Sequence, residues 1–280
     1  MRRVVFNQKG GVGKTSITCN LAATFAEQGK KTLVIDLDAQ GNTTHYLLGG
    51  APSEPGKSIT HFFEETLRFK FVNPKLDPLV RETPYPHLHV IAADQGLIDL
   101  QGRLETRYKI LKLKQAVEVL CNEFDYDHVL FDPPPALNFF SMSALLAADR
   151  ILIPFDCDTF SGQALLQVIE LVQEIQSDHD CALKVEGAVV NHFQKQARLP
   201  QSAVDEVIAS GIHVFEPYLS SSVALKESHR RCKPLVYSHS SHKLTEQFRQ
   251  LSLSIEERLQ AEVKSLRPRK KRTKAKDAEI

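Results

Sequence analysis

No stretch of this chain stays apolar for the roughly 18 residues that a membrane-spanning helix requires. The opening Met1-Arg2-Arg3 leads into only Val4-Val5-Phe6 before Asn7 interrupts, so no secretory signal is expected. Cysteine is scarce and scattered. The five (Cys19, Cys121, Cys157, Cys181 and Cys232) are odd in number and never form a C-x-x-C pair, which argues against a disulfide framework and against an obvious zinc or iron–sulfur site. A reducing cytoplasm is the expected setting. With 13 glycines and 14 prolines in 280 residues, collagen-like and low-complexity architectures are excluded.

What is present is material for a core: 42% hydrophobic and 25% charged residues, which excludes disorder as a description of the whole chain. The net charge of +1 hides an asymmetry. Eight cations (Lys264, Arg267, Arg269, Lys270, Lys271, Arg272, Lys274 and Lys276) crowd into thirteen residues, with only Asp277 and Glu279 following. The rest of the chain is therefore net acidic. Residues 1–266 read as one domain and 267–280 as a basic, disordered tail.

Short β-branched runs alternate with segments of helical period, the pattern of an α/β fold with a mostly parallel twisted sheet and helices on both faces. Strands are expected near Arg3–Phe6, Thr32–Asp36, Leu88–Ala92, His128–Asp132, Ile151–Phe155, Val185–Asn191 and His213–Phe215. Helices are expected near Lys14–Gln28, Arg107–Phe124, Asn138–Ala147, Gly162–Gln176, Pro200–Ser210 and Val223–Arg230. Gly49–Lys57 and Asn73–His87 hold six prolines and read as surface loops. A last helix is expected from about His242 to Leu266, with Leu244, Phe248, Leu251, Ile255, Leu259, Val263 and Leu266 stepping by three and four.

Directly after the first strand stands Lys9-Gly10-Gly11-Val12-Gly13-Lys14-Thr15, followed by the apolar helical pattern of Ile17, Leu21, Ala22 and Phe25. Strand, glycine turn and helix start come in the order a phosphate cradle requires. Gly10, Gly11 and Gly13 let the backbone turn its N–H groups inward. Lys14 would reach the β and γ phosphates, and the Thr15 hydroxyl would take a position on magnesium. The broader pattern G-x-x-x-x-G-K-[ST] would place its first glycine where this chain has Gln8.

That departure is informative, because Lys9 to Thr15 resembles the deviant Walker A motif K-G-G-x-G-K-[ST] of the ParA/MinD family of P-loop ATPases. Asp36-Leu37-Asp38-Ala39-Gln40-Gly41-Asn42-Thr43 is similar to the family's D-x-D-x-Q-G-N segment, and Phe131-Asp132-Pro133-Pro134 to its D-x-P-P stretch. The likeness is closest to ParA-type partition ATPases. It implies ATP and Mg2+ as ligands, with Lys9, Gly10, Gly11, Val12, Gly13, Lys14, Thr15 and Ser16 around the phosphates and Thr15, Asp38 and Asp132 around the metal. Lys9 matches the signature lysine that reaches the partner subunit's nucleotide, and Asp38 the aspartate that positions the attacking water. Lys9, Lys14 and Asp38 are thus the implied catalytic set; Asp36 more plausibly supports the metal or caps the loop. Asn191 matches the asparagine that contacts adenine. Tyr218–Val223 is similar to an I-P-x-x-V stretch, with Ser220 in place of proline.

The resemblance further implies an ATP-dependent sandwich dimer that binds DNA without sequence preference, near Lys195, Arg198, Lys226, Arg230, Arg231 and Lys233 and with help from the tail. Slow hydrolysis stimulated by a ParB-like or other adaptor would then segregate or position a chromosome, plasmid or protein assembly. The expected location is cytoplasmic and nucleoid-associated. A MinD-like membrane-cycling ATPase is the alternative. Against it, the last helix mixes Glu246, Glu256, Glu257 and Glu262 with Arg249 and Arg258, a face that anionic lipid would repel; packing on the domain is the expected role and no membrane contact is expected. An iron–sulfur carrier lacks a companion for Cys157, and a small-molecule kinase would not need Lys9.

Overall fold

A computed structural model of the chain describes residues 1–50, 54, 56–68, 73–156, 161–194 and 198–266. The basic tail and Lys195 lie outside the described residues.

In chain order the elements are β1 (Arg2–Val5), α1 (Lys14–Glu27), β2 (Thr32–Asp36), α2 (Asn42–Leu47), α3 (Ile59–Leu67), β3 (Arg81–Glu82), β4 (Leu88–Ile91), α4 (Leu97–Thr106), α5 (Lys112–Phe124), β5 (His128–Asp132), α6 (Phe139–Ala147), β6 (Arg150–Asp156), α7 (Ser161–His179), β7 (Lys184–Asn191), α8 (Arg198–Ala209), β8 (Val214–Phe215), α9 (Val223–Arg230), α10 (Leu235–Ser238) and α11 (Lys243–Leu266). The strands form one sheet in the order β3-β4-β2-β5-β1-β6-β7-β8. All pairs are parallel except β3 with β4. The chain runs from β1 outward to β2 on one side and later from β6 to β8 on the other, so the sheet reverses direction around β1. In open α/β sheets ligands sit beyond the carboxyl ends of strands at such a reversal.

Strand alternation explains the two cores. Val4, Phe6, Leu33, Ile35, Val129, Phe131, Ile151 and Ile153 face one layer, which α3 to α8 cover. Val5, Val34, Leu130 and Leu152 face the other, which α1, α2 and α9 to α11 cover. A strand buried on both faces reads as a largely apolar run, and Leu33–Ile35 form that run in β2, which is buried throughout. Helix α1 is enclosed in the second layer, where Leu244, Phe248, Leu251 and Ile255 of α11 are buried. The apolar stripe of α11 does not stay buried to its end: Leu259 is half-exposed and Val263 exposed. Among the described residues no helix is long and apolar enough to cross a membrane.

The doubly covered parallel sheet matches the expected fold, and all seven strands expected from the sequence lie within one residue of their observed bounds. The seventh, His213–Phe215, narrows to Val214–Phe215. Several elements differ from the sequence reading. Helix α5 starts at Lys112 and not near Arg107, because Tyr108 takes a left-handed backbone that breaks the helical run. Helices α2, α3, α4 and α10 and the two-residue β3 were not anticipated; β3 lies inside the proline-rich stretch Asn73–His87, which also contains a single 3-10 turn at Asp77–Leu79.

Candidate nucleotide-binding site

The loop between β1 and α1 is held at both ends by buried asparagines. Asn7 donates to the Pro154 carbonyl (2.8 Å) and accepts from the Lys9 N–H (2.9 Å). Asn191, at the end of β7, donates to the Val12 carbonyl (3.0 Å). Between these anchors Gly11 and Gly13 adopt φ of +79° and +91°, the left-handed region that favours glycine. A β-carbon on Gly10 or Gly11 would meet nothing within 4 Å, so these positions are open on the crevice side. Gly13 caps α1 without any side-chain hydrogen bond. The first backbone N–H groups of a helix have no intrahelical acceptor; here those of Lys14, Thr15 and Ser16 are offered at the positive end of the helix dipole, where an anion is stabilised.

Three side chains of this turn diverge. Lys14 is buried, and its Nζ donates to the Lys9 carbonyl (2.9 Å) across the loop. Burial lowers its pKa, an effect that Asp132 and Asp38 oppose. Thr15 donates to Asp132 Oδ2 (2.9 Å). Ser16 Oγ turns the other way, to His229 Nε2 (3.1 Å). Lys9 points out of the loop, its Nζ 2.8 Å from Asp156 Oδ1 at the end of β6.

Two carboxylates close the site from below. Asp36 and Asp132 end the adjacent strands β2 and β5 in register, and both are buried. Asp132 Oδ2 also accepts from Thr43 Oγ1 (2.6 Å). Asp36 Oδ2 accepts from the Thr44 N–H (2.9 Å) and hydroxyl (2.7 Å), and its Oδ1 from the Asp38 N–H (3.1 Å). Burial, followed by the charge of Asp132, pushes the Asp36 carboxyl up to about 8. Burial pushes that of Asp132 up to about 6 against the pull of the Thr43 and Thr15 hydroxyls. Lys14 only partly offsets the charge of these paired buried carboxylates, and a divalent cation would offset it further. Thr15 and Asp132, already within hydrogen-bond distance, fit a magnesium site of the kind in which nucleotide phosphates provide further oxygens. Asp38 is half-exposed, on the loop that leads into α2, with its Oδ1 accepting from the Gln40 N–H (2.9 Å).

The expected loop residues, Asp38, Asp132 and Asn191 are therefore brought together beyond the central strands. Asn191 is 3% exposed and holds the loop itself. Of the expected cationic residues, Lys226 and Arg230 lie one turn apart on α9, and Arg231 and Lys233 follow in its C-terminal turn; all four are exposed. Arg198 opens α8, and its side chain is not described. The sequence reading missed Asn7, Thr43 and Asp156. Thr43 was within the quoted D-x-D segment and Asp156 is a strand-end acid facing the loop, whereas Asn7 carries no signal beyond its place before the motif.

A glycine loop between a central parallel strand and a helix, with a buried lysine and a strand-end aspartate paired to the loop threonine, defines a P-loop nucleoside triphosphatase with the deviant lysine. Comparisons with known proteins agree. Residues 3–185 match the family model described as an AAA domain. The chromosome partitioning protein ParA of Myxococcus xanthus is 31% identical over 235 residues, covering 83% of this chain and 79% of that protein. ParA of Caulobacter vibrioides is 29% identical over 83% of this chain and 85% of its own length. The apo structure of McdA from Cyanothece superposes with a TM-score of 0.78 at 22% identity, over 92% of this chain and 98% of that one. The chain belongs to the ParA/MinD family of P-loop ATPases.

Proposed function

We propose that this ATPase binds ATP with Mg2+, closes into a homodimer around the nucleotide, holds DNA without sequence preference, and lets go after slow hydrolysis stimulated by a ParB-like or other adaptor, thereby segregating or positioning a cargo. Its place would be the cytoplasm, on the nucleoid. The observation that carries the reading is the division of labour between the two loop lysines. Lys14 is turned inward across the loop, where it would meet the phosphates of its own site. Lys9 stands at the rim, about a quarter exposed, where a second subunit's nucleotide could be reached.

In this reading Lys14 and Lys9 offset the charge that develops on the transferred phosphoryl group, and Asp38 orients the attacking water. Thr15 and Asp132 hold the metal, with Asp36 behind them. Magnesium, when bound, neutralises phosphate charge and fixes its geometry. The exposed cations of α9 could neutralise phosphates of any sequence, and dimerisation doubles them, so affinity for DNA should fall steeply with salt. Burial of Leu244, Phe248, Leu251 and Ile255 of α11 in the layer that holds α1 favours DNA over a lipid surface as the partner.

Size-exclusion chromatography with ATP and magnesium tests the cycle. Lys14→Ala should remain monomeric, and Asp38→Ala should accumulate as an ATP-bound dimer that still retards DNA. An Asp38→Ala protein that stays monomeric with ATP bound would remove the switch assignment.

A further inference from the structure

The inner side of α9 makes contacts that the reading above does not use. His229 Nε2 lies 3.1 Å from Ser16 Oγ in the first turn of α1. The same imidazole stacks on Tyr46 of α2, with ring centroids 4.5 Å apart and planes 10° from parallel. The Tyr46 hydroxyl in turn meets Ser228 Oγ (2.9 Å) and donates to Asn20 Oδ1 (3.3 Å). Asn20 ties the set together: it donates to the Ser16 carbonyl (2.9 Å) and accepts from the Leu235 N–H (2.9 Å), which opens α10.

Two segments thus converge on one imidazole. Ser16 belongs to the phosphate loop. Tyr46 belongs to α2, the short helix that follows Asp38 and contributes Thr43 to Asp132 and Thr44 to Asp36. The opposite side of α9 carries the exposed Lys226 and Arg230, followed by Arg231. A helix of eight residues has little room to absorb a displacement of its inner contacts without moving its outer ones.

We propose that His229 couples the nucleotide site to the cationic face of α9, its hydrogen bond to Ser16 and its stack on Tyr46 making the position of Lys226, Arg230 and Arg231 depend on whether the phosphate loop is filled. This rests on the ATP and DNA reading above and adds to it the residue that transmits one to the other. The chemistry is a competition for the Ser16 hydroxyl. A serine hydroxyl donates once, so in the Nδ1–H tautomer, where Ser16 donates to Nε2, an anion at the start of α1 that draws the Ser16 proton breaks the bond; in the Nε2–H tautomer the imidazole donates, and the anion competes for the position of Ser16 Oγ. Burial lowers the pKa of His229, keeping the imidazole neutral with a single N–H. In either tautomer a Ser16 hydroxyl drawn toward the anion shifts or gives up its contact with Nε2, and the ring must follow it or exchange its contacts. His229 acts through Ser16 and α9, and is a positioning residue.

The test uses the full chain, His229→Phe, which keeps the ring on Tyr46 and deletes the hydrogen bond, and His229→Gln, whose amide reaches a similar point. Two quantities are read: the gain in affinity for a non-specific duplex on adding a nonhydrolysable ATP analogue with magnesium, and the change in amide exchange across residues 223–231 on adding the same analogue without DNA. Wild type should show both. His229→Phe should lower the gain about 3- to 10-fold, the scale of one hydrogen bond, and flatten the exchange response, while its affinity for the analogue changes less than that; His229→Gln should recover most of both. A wild-type exchange response that is absent, a His229→Phe protein with both responses intact, or equal loss in Phe and Gln variants would overturn the proposal. A wild-type exchange response without DNA binding would instead remove the DNA reading and leave the coupling standing.

Discussion

Gly13→Ala isolates the physics of the phosphate loop in one methyl group. Gly13 has φ +91° and ψ 26°, a backbone that costs an L-residue about 1–2 kcal/mol. The added β-carbon would also overlap Asn191 Nδ2 and lie 3.4 Å from its Cγ. Asn191 must then swing away, abandoning the Val12 carbonyl, which as an unpaired buried acceptor costs about 1–3 kcal/mol. The two effects together predict a loss of about 2–5 kcal/mol. They also predict strong coupling. Asn191→Ala alone should cost about 1–3 kcal/mol by the same lost bond, yet almost nothing further in the Gly13→Ala background, where that bond is already broken. Urea unfolding of the nucleotide-free protein, run as a double-mutant cycle, measures both. Additive losses would refute the steric link between loop and β7, and a Gly13→Ala protein as stable as wild type would refute the backbone argument as well.

Two further outcomes follow from buried charge. Arg3, in the centre of the sheet, has no exposed surface and bonds Glu186 through Nε (2.7 Å) and Nη2 (3.0 Å) and His128 Nδ1 through Nη1 (2.8 Å). Its removal in Arg3→Ala leaves Glu186 buried and unpaired, so urea unfolding should show a loss of about 3–5 kcal/mol, and Arg3→Met with Glu186→Leu a much smaller one; equal losses would deny that the stranded carboxylate is the cause. The second concerns pH. Burial pushes the Asp36 and Asp132 carboxyls in the folded protein up to about 8 and about 6, above the usual carboxylate range. The folded state therefore binds more protons than the unfolded one between about pH 4 and 8, and stability contributed by this pair falls as pH rises through that window. Relative to Asp36→Asn, the nucleotide-free wild type should lose on the order of 1 kcal/mol per pH unit between pH 6 and 8; parallel stability curves would contradict the upward push that burial gives the Asp36 carboxyl.

The phosphate loop was legible because its chemistry is local. Glycines that permit positive φ, a lysine and a hydroxyl at a helix start are consecutive residues, and their consequences need no distant partner. The same holds for the strands: Leu33–Ile35 of β2 and Val129–Phe131 of β5 are apolar because both their faces are covered, and that shows in a few letters. Helix α4 was legible in principle, with Leu97, Leu100 and Leu104 at helical spacing and all buried. By contrast α2 is six residues, too short to display a period, and β3 is two residues defined only by pairing with β4.

The linear order of residues thus settled the class of the protein and the alternation that makes a covered parallel sheet, and it pointed to phosphate chemistry in the loop between Lys9 and Ser16, since each depends on propensity and spacing over a few neighbours. Folding in three dimensions settled which distant groups finish the site. Asn191 arrives under Val12 from 179 positions away, Asp156 meets Lys9 from the end of β6, and His229 reaches Ser16 across 213 residues. Hydrogen bonds act over about 3 Å of space whatever the separation along the chain, and only the stacking of β1, β6 and β7 with α1 and α9 brings those partners within that range.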